Sequence, residues 1–266
     1  LKYIDKSGFS SLLMDEIVEL MDRDDMSDES MVDYINHCMV KSDAPRPSIE
    51  TLLHAFLPYT SVVHSHPDAI LSITNNNDPV ALINSIFDGS VIPVSYHRPG
   101  FKLSKEVATE VQKKPATEGV ILINHGLVTW GDTPKQAYNN HIRLVSKAEK
   151  AISIRRKAAS MSSQQLDKYV DPRIRKQIAS AISPIIRGTL SEKERMLLRF
   201  EDSKDVMRFV NSSAMGYLTS IGAATPDHLL NTKNIPAVLG NPSILELSEA
   251  KKMTKQSLHE YAENYA

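Results

Sequence analysis

Apolar residues recur at helical spacing over residues 10–23, where Leu12, Leu13, Ile17, Leu20 and Met21 leave the other face to acidic side chains. That period predicts an amphipathic helix. The Pro-punctuated run Ala44-Pro45-Arg46-Pro47-Ser48 predicts a second helix over 49–56, with Ser48 as its N-cap and Pro58 limiting it. Residues 61–66 are rich in β-branched side chains and stop at Pro67, which reads as a strand. A helix from Asp68 and the loop Asn75-Asn76-Asn77 follow. A second strand is expected over 91–95, then a turn at Arg98-Pro99-Gly100 and a helix over 104–113. Residues 119–124 are too apolar for a half-solvated strand, so they predict a central, buried one ending at His125-Gly126. Residues 128–130 continue into an adjacent short strand, with Trp130 packed beside the His125 turn. Thr133 and Pro134 are the N-cap and first position of a long helix through 157. Beyond it the composition shifts towards Lys, Arg, Glu, Gln and Ser, with helical patches broken at Pro172 and Pro184 and a last helix over 246–265.

Alternating strands and helices in the first 150 residues predict an α/β core over 1–154. The stretch 155–266 reads as a helical extension packed on the same domain. Length permits this, because 266 residues can share one core. With 41% hydrophobic and 24% charged residues the composition is that of a globular protein, and no apolar run approaches the roughly 18 residues of a membrane helix. A net charge of −1 gives no electrostatic reason to expect nucleic acid as a partner. Cys38 is the only cysteine, so an intrachain disulfide is excluded and a reducing cytoplasm is the simplest setting. The chain opens at Leu1 with no basic region followed by an apolar stretch, so neither a secretory nor a transit signal is expected.

With one cysteine, any metal site must rely on nitrogen and oxygen donors. His64 and His66 stand two apart in an expected strand, so their side chains leave the same face and can converge on one ion. Alone, a His-x-His pair is a weak signal and is better read as ordinary partly buried or surface histidines. His125 sharpens the signal, since it too ends an expected strand at a glycine turn, where loops expose functional groups. Three protein ligands with an open position would make a catalytic rather than a structural site. Glu50 opens the helix before the histidine strand, with His54 one turn later on the same face. Its bland reading is a carboxylate that complements the helix dipole. His37, His97, His141 and His259 belong to no motif and read as structural or exposed.

Three segments together resemble the motifs of class II aldolases and adducin-like domains: Pro47-Ser48-Ile49-Glu50-Thr51-Leu52-Leu53-His54, Val62-Val63-His64-Ser65-His66, and Ile123-Asn124-His125-Gly126-Leu127-Val128-Thr129-Trp130-Gly131. The resemblance covers at least residues 45–150. Residues 47–58 and Ala223-Ala224-Thr225-Pro226-Asp227-His228 are further similar to the aldolase half of bifunctional rhamnulose-phosphate aldolase/lactaldehyde dehydrogenases. No Gly-x-Gly-x-x-Gly nucleotide loop is present in this chain.

The family resemblance implies a central, mostly antiparallel sheet flanked by helices in three layers. It implies that His64, His66 and His125 bind zinc or another divalent metal and that Glu50 transfers protons. Ser7, Gly8 and Ser48 match positions that bind a substrate phosphate, and Tyr96 is a candidate for the tyrosine the family often brings from the loop after the second strand, a surface or packing role being its alternative. His228 and Lys233 are further phosphate-binding candidates, with helix capping the alternative role of their segment. The implied reaction is cleavage of a ketose 1-phosphate, first L-rhamnulose 1-phosphate, to dihydroxyacetone phosphate and lactaldehyde. Desolvation is expected to raise the pKa of Glu50. The resemblance also implies a homo-oligomer, possible as a tetramer, and a dehydrogenase domain in the full-length protein. Epimerases, dehydratases and decarboxylases share the fold and metal, and an adducin-like interaction module is the non-catalytic alternative.

Overall fold

Four short strands build the sheet that the apolar runs predict. In this computed structural model, which describes residues 5–160, 170–191, 194–239 and 246–265, β1 (Ser61–Ser65), β2 (Val91–Val94), β3 (Gly119–Leu122) and β4 (Gly126–Gly131) are ordered β1-β4-β3-β2. β4 runs antiparallel to both neighbours and only β2 and β3 are parallel. Seven α-helices are described in the first part of the chain, besides short 3-10 turns at Lys6–Gly8 and Glu19–Asp22: α1 (Met14–Val18), α2 (Asp28–His37), α3 (Thr51–Ala55), α4 (Asp68–Thr74), α5 (Pro79–Phe87), α6 (Phe101–Lys113) and α7 (Pro134–Ser160).

β3 is buried at every position, and strand alternation sends its side chains into two cores. Val120 and Leu122 pack with Leu53 of α3 and with Leu103, Val107 and Val111 of α6. Ile121 joins Ile70 and Ile73 of α4, Ile83 and Phe87 of α5, and Leu144 and Ala148 of α7 on the other face. The result is the expected three layers. Behind α3 and α6 a further cluster, including Ile17, Leu20, Met31 and Ile35, fastens α1 and α2.

Several boundaries differ from expectation. Residues 10–13 are not helical, because Leu12 bridges Met39 and the Leu13 amide donates to the Cys38 carbonyl, so the helix starts only at Met14. Helices α2 and α5 were not anticipated, although their caps are plain: Ser27 Oγ accepts from the Ser30 amide, and Asp78 accepts from Ala81 with Pro79 at the first turn. Trp130 lies at the far end of β4 from His125 and stacks on Tyr59, the ring centroids 4.7 Å apart.

A second compact unit comprises Ser162–Ala223 and His228–Ala266, while Ala224–Asp227 belong with the first. Its described helices are α8 (Pro172–Leu190), α9 (Lys204–Val210), α10 (Met215–Ile221), the later part of α11 (Pro226–Asn231) and α12 (Leu247–Tyr265), with α8 packed on α12. Pro172 starts α8, but Pro184 does not break it. An interior proline loses one backbone hydrogen bond and crowds the carbonyl four residues earlier, yet Ile182, Ile185 and Ile186 continue the helical apolar spacing across it.

The register brings the end of β1 against the start of β4, with His64 opposite Val128 and Ser65 opposite Leu127. Between Leu122 and Gly126 the chain turns in three residues, Asn124 taking the left-handed conformation at φ 60°. Two devices secure this junction. A Cβ on Gly126 would stand 2.5 Å from the Ser65 carbonyl oxygen and about 3 Å from the His66 and His64 rings, so only glycine admits so close an approach. On the reverse face of β1, buried His141 of α7 bridges Ser65 Oγ at 2.7 Å and Thr129 Oγ1 at 3.0 Å. Thr129 Oγ1 donates to the Ala137 carbonyl, so His141 Nδ1–H donates to Thr129 and Nε2 accepts from Ser65. Burial, with a smaller contribution from His64, pushes the His141 pKa down to about 4.

Two outcomes are expected. Gly126→Ala should cost about 1–3 kcal/mol by overpacking, read as a lowered urea midpoint with an unchanged slope. For His141 the unfolded chain binds a proton below its ordinary value of 6.5 that the folded chain refuses until about pH 4. Stability is therefore present above that window and lost as pH falls through it, by about 3 kcal/mol from this group. Urea unfolding at pH 7 and pH 4 should show a smaller acid loss in His141→Gln than in the unaltered chain.

Candidate metal centre

Three elements deliver the motif residues to one place. β1 ends in His64-Ser65 with His66 the next residue, the β3–β4 turn carries His125, and Glu50 is the N-cap of α3. Ser48 is not the cap expected from the sequence. It sits two residues before the cap, its Oγ accepting from the Glu50 amide at 3.1 Å and its carbonyl accepting from Thr51. This local turn places the Glu50 side chain under the sheet edge instead of in solvent.

One donor atom from each of Glu50, His64, His66 and His125 lies within 4.8 Å of every other. The three imidazole centroids are 4.8–5.1 Å apart. Glu50 Oε1 stands 2.8 Å from His125 Nε2 and 3.3 Å from His64 Nε2. The His125 and His64 side chains are 3% and 5% exposed, so these donors are largely withdrawn from water.

Protonation makes the cluster fit a cation. His64 Nδ1 donates to the Leu127 carbonyl at 3.0 Å, and His66 Nδ1 donates to Asp227 Oδ2 at 3.0 Å. In the neutral rings both Nε2 atoms then carry lone pairs, yet they face each other across 3.1 Å. Among the described residues Glu50 Oε1 and both ring nitrogens of His125 are buried with no hydrogen-bond partner, their close approaches lacking hydrogen-bond angles. Lone pairs crowded in this way are repulsive, and a divalent ion accepting from them removes the conflict. Three imidazole nitrogens with a carboxylate oxygen suit zinc and other borderline divalent ions.

Glu50 corrects one expectation. In the metal-free chain burial pushes its carboxyl up, but hydrogen bonds and charge attraction from His125 and His64, where these rings carry the proton facing Glu50, outweigh burial and hold it well below the ordinary carboxylate range. It is ionised at neutral pH. His66 is pushed down by burial and by His64, with Asp227 opposing.

Among the described residues, none of the other expected residues supplies a donor to the four-atom cluster. Tyr96 is exposed beyond β2, with no hydrogen bond to the cluster among the described residues. Ser7 and Gly8 lie in an exposed turn whose amides point back to Asp5. Ser48 is exposed beside Glu50. His228 and Lys233 are exposed and fall in the second compact unit. His37, His97 and His259 have local partners in Asp33, Glu106 and Glu263. Sequence reasoning missed Asp227, which is 161 positions from the ring it contacts and carries no local signal of that role.

Comparison with known proteins agrees with this geometry. Residues 19–152 match the family described as Class II Aldolase and Adducin N-terminal domain, and residues 177–266 match Aldolase class II, second domain. The chain is 42% identical to the uncharacterized oxidoreductase YuxG of Bacillus subtilis (strain 168) over 97% of its own length, but it spans only 38% of that relative. A solved structure of the N-terminal class II aldolase domain of a conserved protein from Thermoplasma acidophilum is 49% identical, with a TM-score of 0.53 over 56% of this chain and 69% of the other. Motifs, sheet, donor cluster and matched relatives agree: the chain belongs to the class II aldolase/adducin family.

Proposed function

We propose that this chain is a divalent-metal aldehyde-lyase that cleaves a ketose 1-phosphate to dihydroxyacetone phosphate and an aldehyde. L-rhamnulose 1-phosphate, yielding lactaldehyde, is the first substrate to test. The observation that carries the reading is the convergence of Glu50, His64, His66 and His125 donors within 4.8 Å of one another. An interaction module has no use for buried, mutually repelling donors.

His64, His66 and His125 hold the ion, preferably zinc. Bound there, a divalent cation supplies Lewis-acid stabilisation, worth several kcal/mol, for the charge left when the carbon–carbon bond breaks. Glu50 is the proton carrier. Its carboxylate is ionised at neutral pH, so it can take a proton from the carbon of dihydroxyacetone phosphate in the condensation direction and return it in cleavage. Tyr96 serves the hydroxyl of the aldehyde product, and Ser7, Gly8, Ser48, His228 and Lys233 are the candidates for the phosphate.

The relative's printed name, an oxidoreductase, supports a longer protein in which this chain is one part. Since the chain spans 38% of that relative and holds no Gly-x-Gly-x-x-Gly loop, we assign redox chemistry to the remainder, a dehydrogenase that consumes the aldehyde.

Elemental analysis of purified protein should find about one divalent metal per chain, lost in His64→Ala and His125→Ala. The metal-loaded protein, assayed against a panel of ketose 1-phosphates, should release dihydroxyacetone phosphate fastest from L-rhamnulose 1-phosphate. Glu50→Gln should keep the metal and lose about 10²–10⁴-fold in turnover and in proton exchange on dihydroxyacetone phosphate. Metal bound without release from any ketose phosphate would replace the lyase by an epimerase or dehydratase of the same fold.

A further inference from the structure

A short stretch far along the chain returns to the metal centre. Ala224–Asp227 is grouped with the first compact unit, and Thr225 within it is buried. Asn75 Nδ2 donates to the Ala224 carbonyl at 2.9 Å, and Asn124 Nδ2 donates to Asn75 Oδ1 at 2.8 Å. Asn124 is the left-handed turn residue immediately before His125. At the other end of the stretch, Asp227 Oδ2 accepts from His66 Nδ1.

We propose that Ala224–Asp227 is a strap that positions the metal ligands, Asp227 fixing His66 with its proton on Nδ1 and Asn75 joining the strap to the turn that carries His125. The inference rests on the reading of the site as a metal centre. A neutral imidazole binds a cation only through the nitrogen without hydrogen, so the partner of the other nitrogen chooses which one is available. For His64 that partner is the Leu127 carbonyl on the adjacent strand. His66 lies past the end of β1, beyond the last paired residue, and its Nδ1 partner among the described residues is the Asp227 carboxylate instead. The carboxylate therefore selects the tautomer that presents Nε2 to the cluster and makes that nitrogen a stronger donor. Asp227 is a positioning residue, not a catalytic one. Its side chain is 64% exposed, so water and salt screen it and its effect belongs at the lower end of the range for such carboxylates, about tenfold in metal affinity.

Two measurements on the full chain test this. The first is the tautomer of His66 in metal-free protein, read by nitrogen-15 spectroscopy of histidine-labelled samples. The second is zinc affinity by competition with a chromophoric chelator. The unaltered protein should hold His66 as the Nδ1–H form, and Asp227→Ala should lose that preference and bind zinc about tenfold more weakly. Asp227→Asn, which keeps an acceptor without the charge, should fall between. Asn75→Ala, remote from the ring, should reproduce part of the loss. Unfolding midpoints of all three should match the unaltered chain to within a few tenths of a molar in urea. Asp227→Ala with an unchanged tautomer, or with a changed tautomer and unchanged affinity, overturns the strap and leaves the metal centre standing. An unaltered chain that binds no zinc removes the metal centre and the strap together.

Discussion

His64 Nε2 and His66 Nε2 point at each other across 3.1 Å while the Leu127 carbonyl and Asp227 occupy the hydrogens on their other nitrogens. Each contact is ordinary alone. Jointly they force lone pairs together, with Glu50 Oε1 beside them. Local propensity does not create such a cluster; the antiparallel register of β1 on β4 and the three-residue turn before Gly126 impose it. The apolar cores on both faces of β3 hold that register. Each buried Leu, Ile or Val contributes about 1.5–3 kcal/mol, and this burial is what opposes the repulsion among the donors.

Close approach also demands particular residues where no chemistry is done. Gly126 has no Cβ, and only then can the Ser65 carbonyl and the rings on either side of it come so near the turn. Ser65 itself faces away from the cluster, and its hydroxyl is held by His141. That histidine is neutral because burial refuses it a proton. A neutral ring can accept from Ser65 and donate to Thr129 at once, whereas a charged ring would have two donors and would have to turn the Ser65 hydroxyl around. The polar trio thus ties β1, β4 and α7 together beneath the ligands without adding charge near them.

Much of this was legible because strand period and motif spacing are local properties. The all-apolar run of β3 told of a strand buried on both faces, and the His64/His66 spacing told of one shared face. Thr133 was readable as a cap, and its Oγ1 accepts from Gln136. Other features were hidden because they depend on contacts between distant positions. The bridge from Leu12 to Met39 kept residues 10–13 out of α1. The Ser48 turn moved the start of α3 to Glu50. The Glu50 pKa went opposite to expectation because burial, which the motif suggested, was outweighed by two imidazoles whose distance no spacing could supply. Asp227 was invisible for the same reason, since a carboxylate after Thr225-Pro226 looks like an ordinary first-turn acid of a helix.

The donors come from three separately anchored elements, and this links ion binding to folding. An unfolded chain cannot bring residues 50, 64, 66 and 125 together, so a cation that recognises the folded arrangement stabilises it by mass action, about 2.7 kcal/mol at a hundred times its dissociation constant. Such an ion would also relieve the repulsion that the cores otherwise oppose. Stability and ligand geometry therefore draw on one set of contacts: the β1–β4 register, the Gly126 approach, and the hydrogen bonds that set each imidazole's tautomer. A substitution that loosens any of these should be felt in the metal centre before it is felt in the cores, because repelling donors separate as soon as the constraint holding them relaxes.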